Sequence, residues 1–427
     1  MPAPRATGAG VLVPGSSAVL RSVTVIPDHQ MPRESQMKIA RIESFILGTG
    51  SSKDLLFCRV ETEDGLHGWG EAYVTHGKET VVAECIRAMA PHVIGRSVFN
   101  IRHTGQILFD DFAIKRSSVE LLAAWSAVEI ASWDILGKRT GLPVYNLIGG
   151  ASRERVRVYA NGWSRASTIE EGVERGLAVK AMGFTAAKFD PFPGPWRTFV
   201  DRRDEDFAIN YVQAMRQALG PDFELLIEAH RRFAPAHAIR IGRRLAEFGI
   251  DWYEEPCLSE NIDLVAEVRR AVPVPIVTGE AIYTREAFFE SVAKRAADIL
   301  NPDICVVGGI TAMLDIAAMA QPQAIVIAPH NYNSTLVGLA ATVHFSAVIP
   351  NFRIAEYFVN FADLCREIAT SSLTMQDGWI DLPMSPGLGV DIDVGKLRAH
   401  PHQEITARGF RQYWEEYPRK GYTPSLR

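Results

Sequence analysis

Six short apolar segments of this 427-residue chain end in an acid or a histidine at nearly constant spacing. Glu228 in "LLIEAH", Glu254 in "WYEEP" and Glu280 in "IVTGEA" stand 26 residues apart. Asp303 in "DILNPD", His330 in "IVIAPH" and Glu356 in "RIAEY" follow at intervals of 23, 27 and 26. One strand, one amphipathic helix and their turns fill such a period, so residues 155–356 read as repeated strand–helix units, with "VRVYAN" and "AAKFD" as two earlier strands. Parallel strands joined by helices form either an open, doubly wound sheet or a closed barrel. The closed barrel is preferred: no GxGxxG follows the first strand, and charged residues end nearly every strand. Barrel strands converge at one mouth, where active sites lie.

Before the repeats the pattern differs. Residues 38–47 and 55–61 read as β-strands, "EDGLHGWGEA" (63–72) as a Gly-rich turn, and 118–139 as a helix. Strands followed by helices suggest a separate α+β unit over 37–150. Residues 1–36 are rich in Pro, Gly, Ser and Ala without a clear period. They read as a disordered leader or a start-site artefact, with Met37 as the natural beginning. The barrel is expected over 151–376. A tail, 377–427, carries Phe410, Tyr413, Trp414 and Tyr417 and is expected to pack back on the first unit. A net charge of −5 and a pI near 6.2 leave no footprint for nucleic acid or an anionic membrane. Apolar runs such as "AIVIAP" fall short of the roughly 18–20 residues that span a bilayer. Five scattered cysteines without a CxxC pair read as reduced thiols of a cytoplasmic protein.

The strand ends carry the chemistry. Glu228, Glu254 and Glu280 end consecutive strands, and unpaired they would repel until one took a proton. A divalent cation resolves this, and oxygen ligands without a thiolate favour Mg²⁺ over zinc. Any one of the three could be a structural partner of an arginine; their equal spacing argues against that for all three. Alternation puts Glu254 and Glu255 on opposite faces, and the sequence leaves open which points inward. Asp303 and His330 end successive strands, and an Asp beside a His orients the imidazole as a general base. Lys188 and Asp190 share a face by alternation, and a lysine near a metal can stabilise developing negative charge. Glu356 is a candidate acid donor. His230, two residues after Glu228, would share its face in a continued strand.

"SAVEIASWDILGK" (126–138), "GLPVYNLIGG" (141–150), "WYEEP", "TGEAIYT", "NPDICVVGGIT" (301–311) and "APHNYNS" (328–334) together resemble the enolase superfamily in its mandelate racemase-like branch, over about 38–400. The resemblance implies a modified TIM barrel, (β/α)7β, with an α+β capping domain. It implies Glu228, Glu254 and Glu280 as Mg²⁺ ligands, Asp303 and His330 as the dyad, and Glu356 as the group that hydrogen-bonds the enediolate. Members of this superfamily use a Lys or His base with Mg²⁺. The first ligand is more often Asp in the branch, so Glu228 is a departure that still supplies carboxylate oxygen. Where its racemases and some of its dehydratases carry KxK, this chain has Lys188 and Asp190, which argues against a Lys–His two-base racemisation. His230 is similar to the acid of galactonate- and gluconate-type dehydratases.

The resemblance therefore implies a hydro-lyase acting on a sugar acid. His330 takes the proton α to the carboxylate, His230 protonates the departing 3-hydroxyl, and a 2-keto-3-deoxy acid results. A racemase, epimerase or cycloisomerase would share the enediolate, and a non-catalytic metal-binding barrel is the reading of another class. Asp190, Trp69, His76, Trp196 and Arg197 are expected to contact the substrate. The branch also implies a homo-oligomer, often an octamer.

Overall fold

The computed structural model describes residues 37–51, 53–112, 118–193, 200–331, 336–371 and 373–403. The leader, Trp196, Arg197 and the aromatic cluster of the tail lie outside the described residues.

The chain from Met37 begins with an antiparallel sheet of β1 (Ile39–Leu47), β2 (Leu55–Thr62) and β3 (His67–Ala72), in that order. Helices α1 (Glu79–Val93), α2 (Ile101–Asp111) and α3 (Val119–Thr140) follow. α3 starts where Ser118 accepts the Leu121 amide and stops at Gly141, whose φ of 70° suits glycine. "HGWGEA", read from the sequence as part of a turn, is itself strand β3; the turn is confined to the residues just before it. Its glycines let two backbones approach: a Cβ on Gly68 or Gly70 would collide with the carbonyls of Ala131 and Ala127 in α3. Small residues on both elements thus fasten the helix to the sheet.

Eight parallel strands follow: β4 (Arg155–Asn161), β5 (Ala186–Phe189), β6 (Glu224–Glu228), β7 (Trp252–Glu254), β8 (Ile276–Thr278), β9 (Ile299–Leu300), β10 (Val326–Ile327) and β11 (Ala355–Phe358). β11 lies parallel to β4, with Glu356 opposite Tyr159. At its other edge the Ile327 amide donates to Asn351 (2.8 Å) and the Arg353 amide to Ile327 (2.9 Å), which closes the barrel. Helices separate successive strands, so the described residues form a (β/α)7β barrel with the sheet unit as its cap. One residue from each strand segment fills the interior: Tyr159, Ala186, Leu226, Trp252, Val277, Ile299, Ala328 and Ile354. Two large rings, Tyr159 against Trp252 at 5.3 Å, are accommodated by the alanines beside them.

Cap and barrel are joined by buried polar contacts. Glu129 of α3 accepts from the amides of Ile310 and Thr311 (2.9 Å each), the Thr311 hydroxyl and the Trp133 indole, and Ser126 accepts the Gly308 amide. These are orphan donors at the start of helix Gly309–Ala320. Asp134 accepts the Trp69 and Leu388 amides at 3.0 and 2.8 Å, which brings the C-terminal segment onto α3 and β3. Among the described residues no helix is long and apolar enough to cross a membrane.

Candidate active site

The layer two residues beyond the apolar plug is polar, as strand alternation requires. Tyr159 leads to Asn161, Ala186 to Lys188, Leu226 to Glu228, Trp252 to Glu254, Ile299 to Asn301, Ala328 to His330 and Ile354 to Glu356. Glu228 and Glu254 sit directly opposite each other in the β6–β7 register. Glu254 is therefore the inward member of the "EE" pair. Glu255 takes a left-handed backbone (φ 45°) and turns away to Thr278 and the Gly279 amide, both at 2.9 Å.

Lys188 stands among the acids, with Nζ 2.6 Å from Glu254, 3.4 Å from Glu228 and 3.5 Å from Glu356. Its charge is held well above the usual range: burial opposes it, but Glu254 and Glu356 outweigh burial. Glu228, Glu254 and Glu280 each bring a carboxylate oxygen within 4.8 Å of the others. Burial and the neighbouring Glu228 drive Glu254 well above the ordinary carboxyl range. Burial also works against the charge of the partly buried Glu280, yet His330 and Arg231 hold it well below that range. Oε2 of Glu228 and Oε2 of Glu254 are buried without a hydrogen-bond partner. Buried carboxylate oxygens without a hydrogen bond are costly, and three carboxylates converging on one point, two of them with such an oxygen, fit a hard divalent cation.

His330 Nδ1 lies 2.7 Å from Asp303, while Nε2 faces Glu280 at 3.2 Å and Glu356 at 3.7 Å. Burial opposes its charge, but Glu356, Asp303 and Glu280 raise its pKa well above the usual imidazole value. Glu356 is held by the Asn331 amide at 2.7 Å and by the Asn161 side chain.

His230 lies past the end of β6 and not in a continued strand. It and Arg231 have φ of 50° and 60°, so a left-handed turn aims them, where the sequence suggested simple alternation. His230 Nδ1 meets Asp190 at 2.7 Å. Burial works against its charge, but Glu228 and Asp190 raise its pKa. Asp190 was expected to contact substrate, yet its carboxylate is engaged by His230, Arg232 and the Phe192 amide, so it orients His230. Arg231, unassigned from sequence, pairs with Glu280.

Trp69 does not reach the mouth. It is buried in the cap, its ring tilted against Phe45 at 5.6 Å, with its indole N–H donating to Asp391 at 2.7 Å. Trp69 was expected to contact the substrate, but the glycines on either side of it serve the α3 contact. His76 is half-buried on the loop after β3. Sequence reasoning missed Asn161 and Asn301, the latter donating to Glu254 at 2.8 Å, although both lie two residues beyond interior strand residues. It also missed Tyr73, whose ring lies 6.2 Å from His330.

A capped (β/α)7β barrel with three carboxylates, a lysine and a His–Asp dyad at its mouth defines an enolase-superfamily enzyme. Residues 30–149 match the mandelate racemase / muconate lactonizing enzyme N-terminal domain, and 172–396 match the enolase C-terminal domain-like family. The chain belongs to the mandelate racemase / muconate lactonizing enzyme family. It is 33% identical to a D-gluconate/D-galactonate dehydratase of Picrophilus torridus, over 80% of this chain and 87% of that one. It is 31% identical to a D-galactarolactone cycloisomerase of Agrobacterium fabrum, over 78% and 88%. A solved mandelate racemase/muconate lactonizing enzyme from Sulfitobacter superposes with a TM-score of 0.80 at 33% identity, covering 86% of this chain and 96% of that one.

Proposed function

We propose that the chain dehydrates a sugar acid of the aldonate type, galactonate- or gluconate-like, to a 2-keto-3-deoxy acid, with Mg²⁺ as its metal. The observation that carries this reading is the presence of two oriented histidines at one mouth, His330 on Asp303 and His230 on Asp190. Dehydration needs one group to take the α-proton and another to protonate the leaving hydroxyl.

Glu228, Glu254 and Glu280 would hold the Mg²⁺, which supplies Lewis acidity toward the substrate carboxylate and offsets the charge of its ligands. With Glu280 engaged by the Mg²⁺, His330 would lose a carboxylate that favours its charge, and Asp303, holding Nδ1–H, would leave Nε2 as the atom that accepts the α-proton. Lys188 and Glu356 lie beside that position, Lys188 as a cation for developing negative charge and Glu356 as a hydrogen-bonding partner. His230, anchored through Nδ1, offers its other ring nitrogen as the acid that releases water from the β-carbon. Each such acid or base contributes about 10²–10⁴ in rate.

A cycloisomerase is the second reading, favoured by the similarity to the Agrobacterium fabrum relative. It would use His330 without loss of water. Incubating the protein and Mg²⁺ with a library of acid sugars, then detecting 2-keto products with semicarbazide, separates the two. Substrate consumption without any 2-keto product would overturn the dehydratase reading.

A further inference from the structure

The loop between β1 and β2 sends a lysine inward. Lys53 is buried, although a lysine on such a loop would ordinarily carry its ammonium to water. Its Nζ lies 5.0 Å from the centre of the Tyr73 ring, and that ring lies 6.2 Å from His330. Tyr73 is itself tied to the barrel, because its amide donates to Cys305 at 3.0 Å, two residues past Asp303. These two steps bound the separation of the ammonium from the proposed base to about the reach of an extended six-carbon acid.

The backbone around Lys53 is fastened on both sides. Gly48 donates to the His400 carbonyl at 2.9 Å, and the Thr49 hydroxyl bonds the Lys53 carbonyl. Asp54 accepts the Thr49 amide at 2.9 Å and meets His402 Nδ1 at 2.7 Å. The ammonium is thus presented to the mouth by a braced loop. Burial lowers its pKa to about 7, against the attraction of Asp303, Glu280, Glu356 and Glu79.

We propose that Lys53 binds the end of the acid sugar remote from the reacting carbon, and that it selects a second carboxylate there over a hydroxymethyl group. This rests on the reading that the mouth accepts sugar acids, and it narrows that class toward diacids, whose near end carries the same carboxylate, α-proton and β-hydroxyl as an aldonate. Charge-assisted hydrogen bonds are roughly twice as strong as neutral ones. Lys188 and the metal ligands serve the reacting end, so a cation at the far end makes the site two-ended.

Calorimetric titration of the full chain with Mg²⁺ present tests this, using galactarate against galactonate and glucarate against gluconate. Wild type should bind at least one diacid about 10- to 100-fold more tightly than its matched monoacid. Lys53→Met should remove that preference while leaving monoacid affinity within about threefold, and Lys53→Arg should keep most of it. Lys53→Gln serves equally if the Met variant does not fold. No wild-type preference in either pair, or an equal preference in the Met or Gln variant, overturns the assignment. Product analysis on the same samples separates the two readings. A diacid preference that depends on Lys53 without any 2-keto product sinks the dehydratase reading alone. A 2-keto product with no diacid preference sinks the Lys53 assignment alone.

Discussion

Lys188→Met removes a buried ammonium from between Glu254, Glu228 and Glu356, at 2.6, 3.4 and 3.5 Å, and leaves a side chain of similar length. Loss of one partner from a buried ion pair typically costs about 3–5 kcal/mol, because the remaining charge stays desolvated. Three pairs are lost here, yet the cost does not triple. Burial and Glu228 already push the Glu254 carboxyl upward, so it can take up a proton when the cation leaves. The expected loss in metal-free protein is therefore about 3–5 kcal/mol. Mg²⁺ should narrow the gap, since Lys188 occupies oxygens of two proposed ligands and its removal frees them. At one saturating Mg²⁺ concentration both forms gain, and the variant gains more by about 1.4 kcal/mol for each tenfold by which the freed oxygens tighten its binding. Urea unfolding of both proteins in EDTA and in saturating Mg²⁺ measures this. A variant within about 1 kcal/mol of wild type in EDTA, or a gap that Mg²⁺ leaves unchanged, would refute Lys188 as the counter-charge of the carboxylates.

Other expectations concern the frame. Glu129→Ala leaves the buried amides of Ile310 and Thr311 without their acceptor and should cost about 2–4 kcal/mol, measured by urea unfolding. Gly70→Ala drives a methyl into the Ala127 carbonyl and should lower stability by at least about 2 kcal/mol, or reduce soluble yield. Burial raises the Glu71 carboxyl to about 8, above an unfolded value near 4.3. The unfolded chain then binds fewer protons than the folded one, so this group's contribution is full at low pH and is lost as pH rises from about 4.3 through 8. Glu71→Gln keeps an acceptor for the Gly338 amide, which Glu71 now receives at 2.8 Å. Its melting temperature should gain on wild type steadily across that range, and a constant offset would contradict the assignment.

The barrel was legible because its constraint is periodic. One polar residue recurs at each strand end, and only a strand–helix repeat gives that spacing. The carboxylates and the dyad were read from that periodicity, whereas Lys188 was read from alternation within its own strand. Other residues escaped for identifiable reasons. Asn161 and Asn301 obey the same alternation but carry no charge to attract notice. His230 was found by assuming a strand that has already ended, and a left-handed turn delivers it instead. Trp69 was misassigned because its exposure depended on how closely α3 approaches β3, a tertiary fact outside any local pattern. Lys53 and Tyr73 reach the mouth only because the cap docks on the barrel. The motifs that carried the family resemblance divide the same way: Ser126 and Glu129 join cap to barrel, Asp134 ties β3 and the C-terminal segment to α3, and "APH" and "YEE" supply the site.

The central claim is a division of labour between two histidines, and isotope exchange tests it directly. Wild type, His330→Asn and His230→Asn are each incubated in D₂O with Mg²⁺ and a sugar acid that wild type dehydrates, and both α-deuterium incorporation and 2-keto product are followed. His330→Asn should lose both. His230→Asn should lose the product while still exchanging the α-proton. Wild-type exchange in His330→Asn, or full dehydration in His230→Asn, would contradict the account.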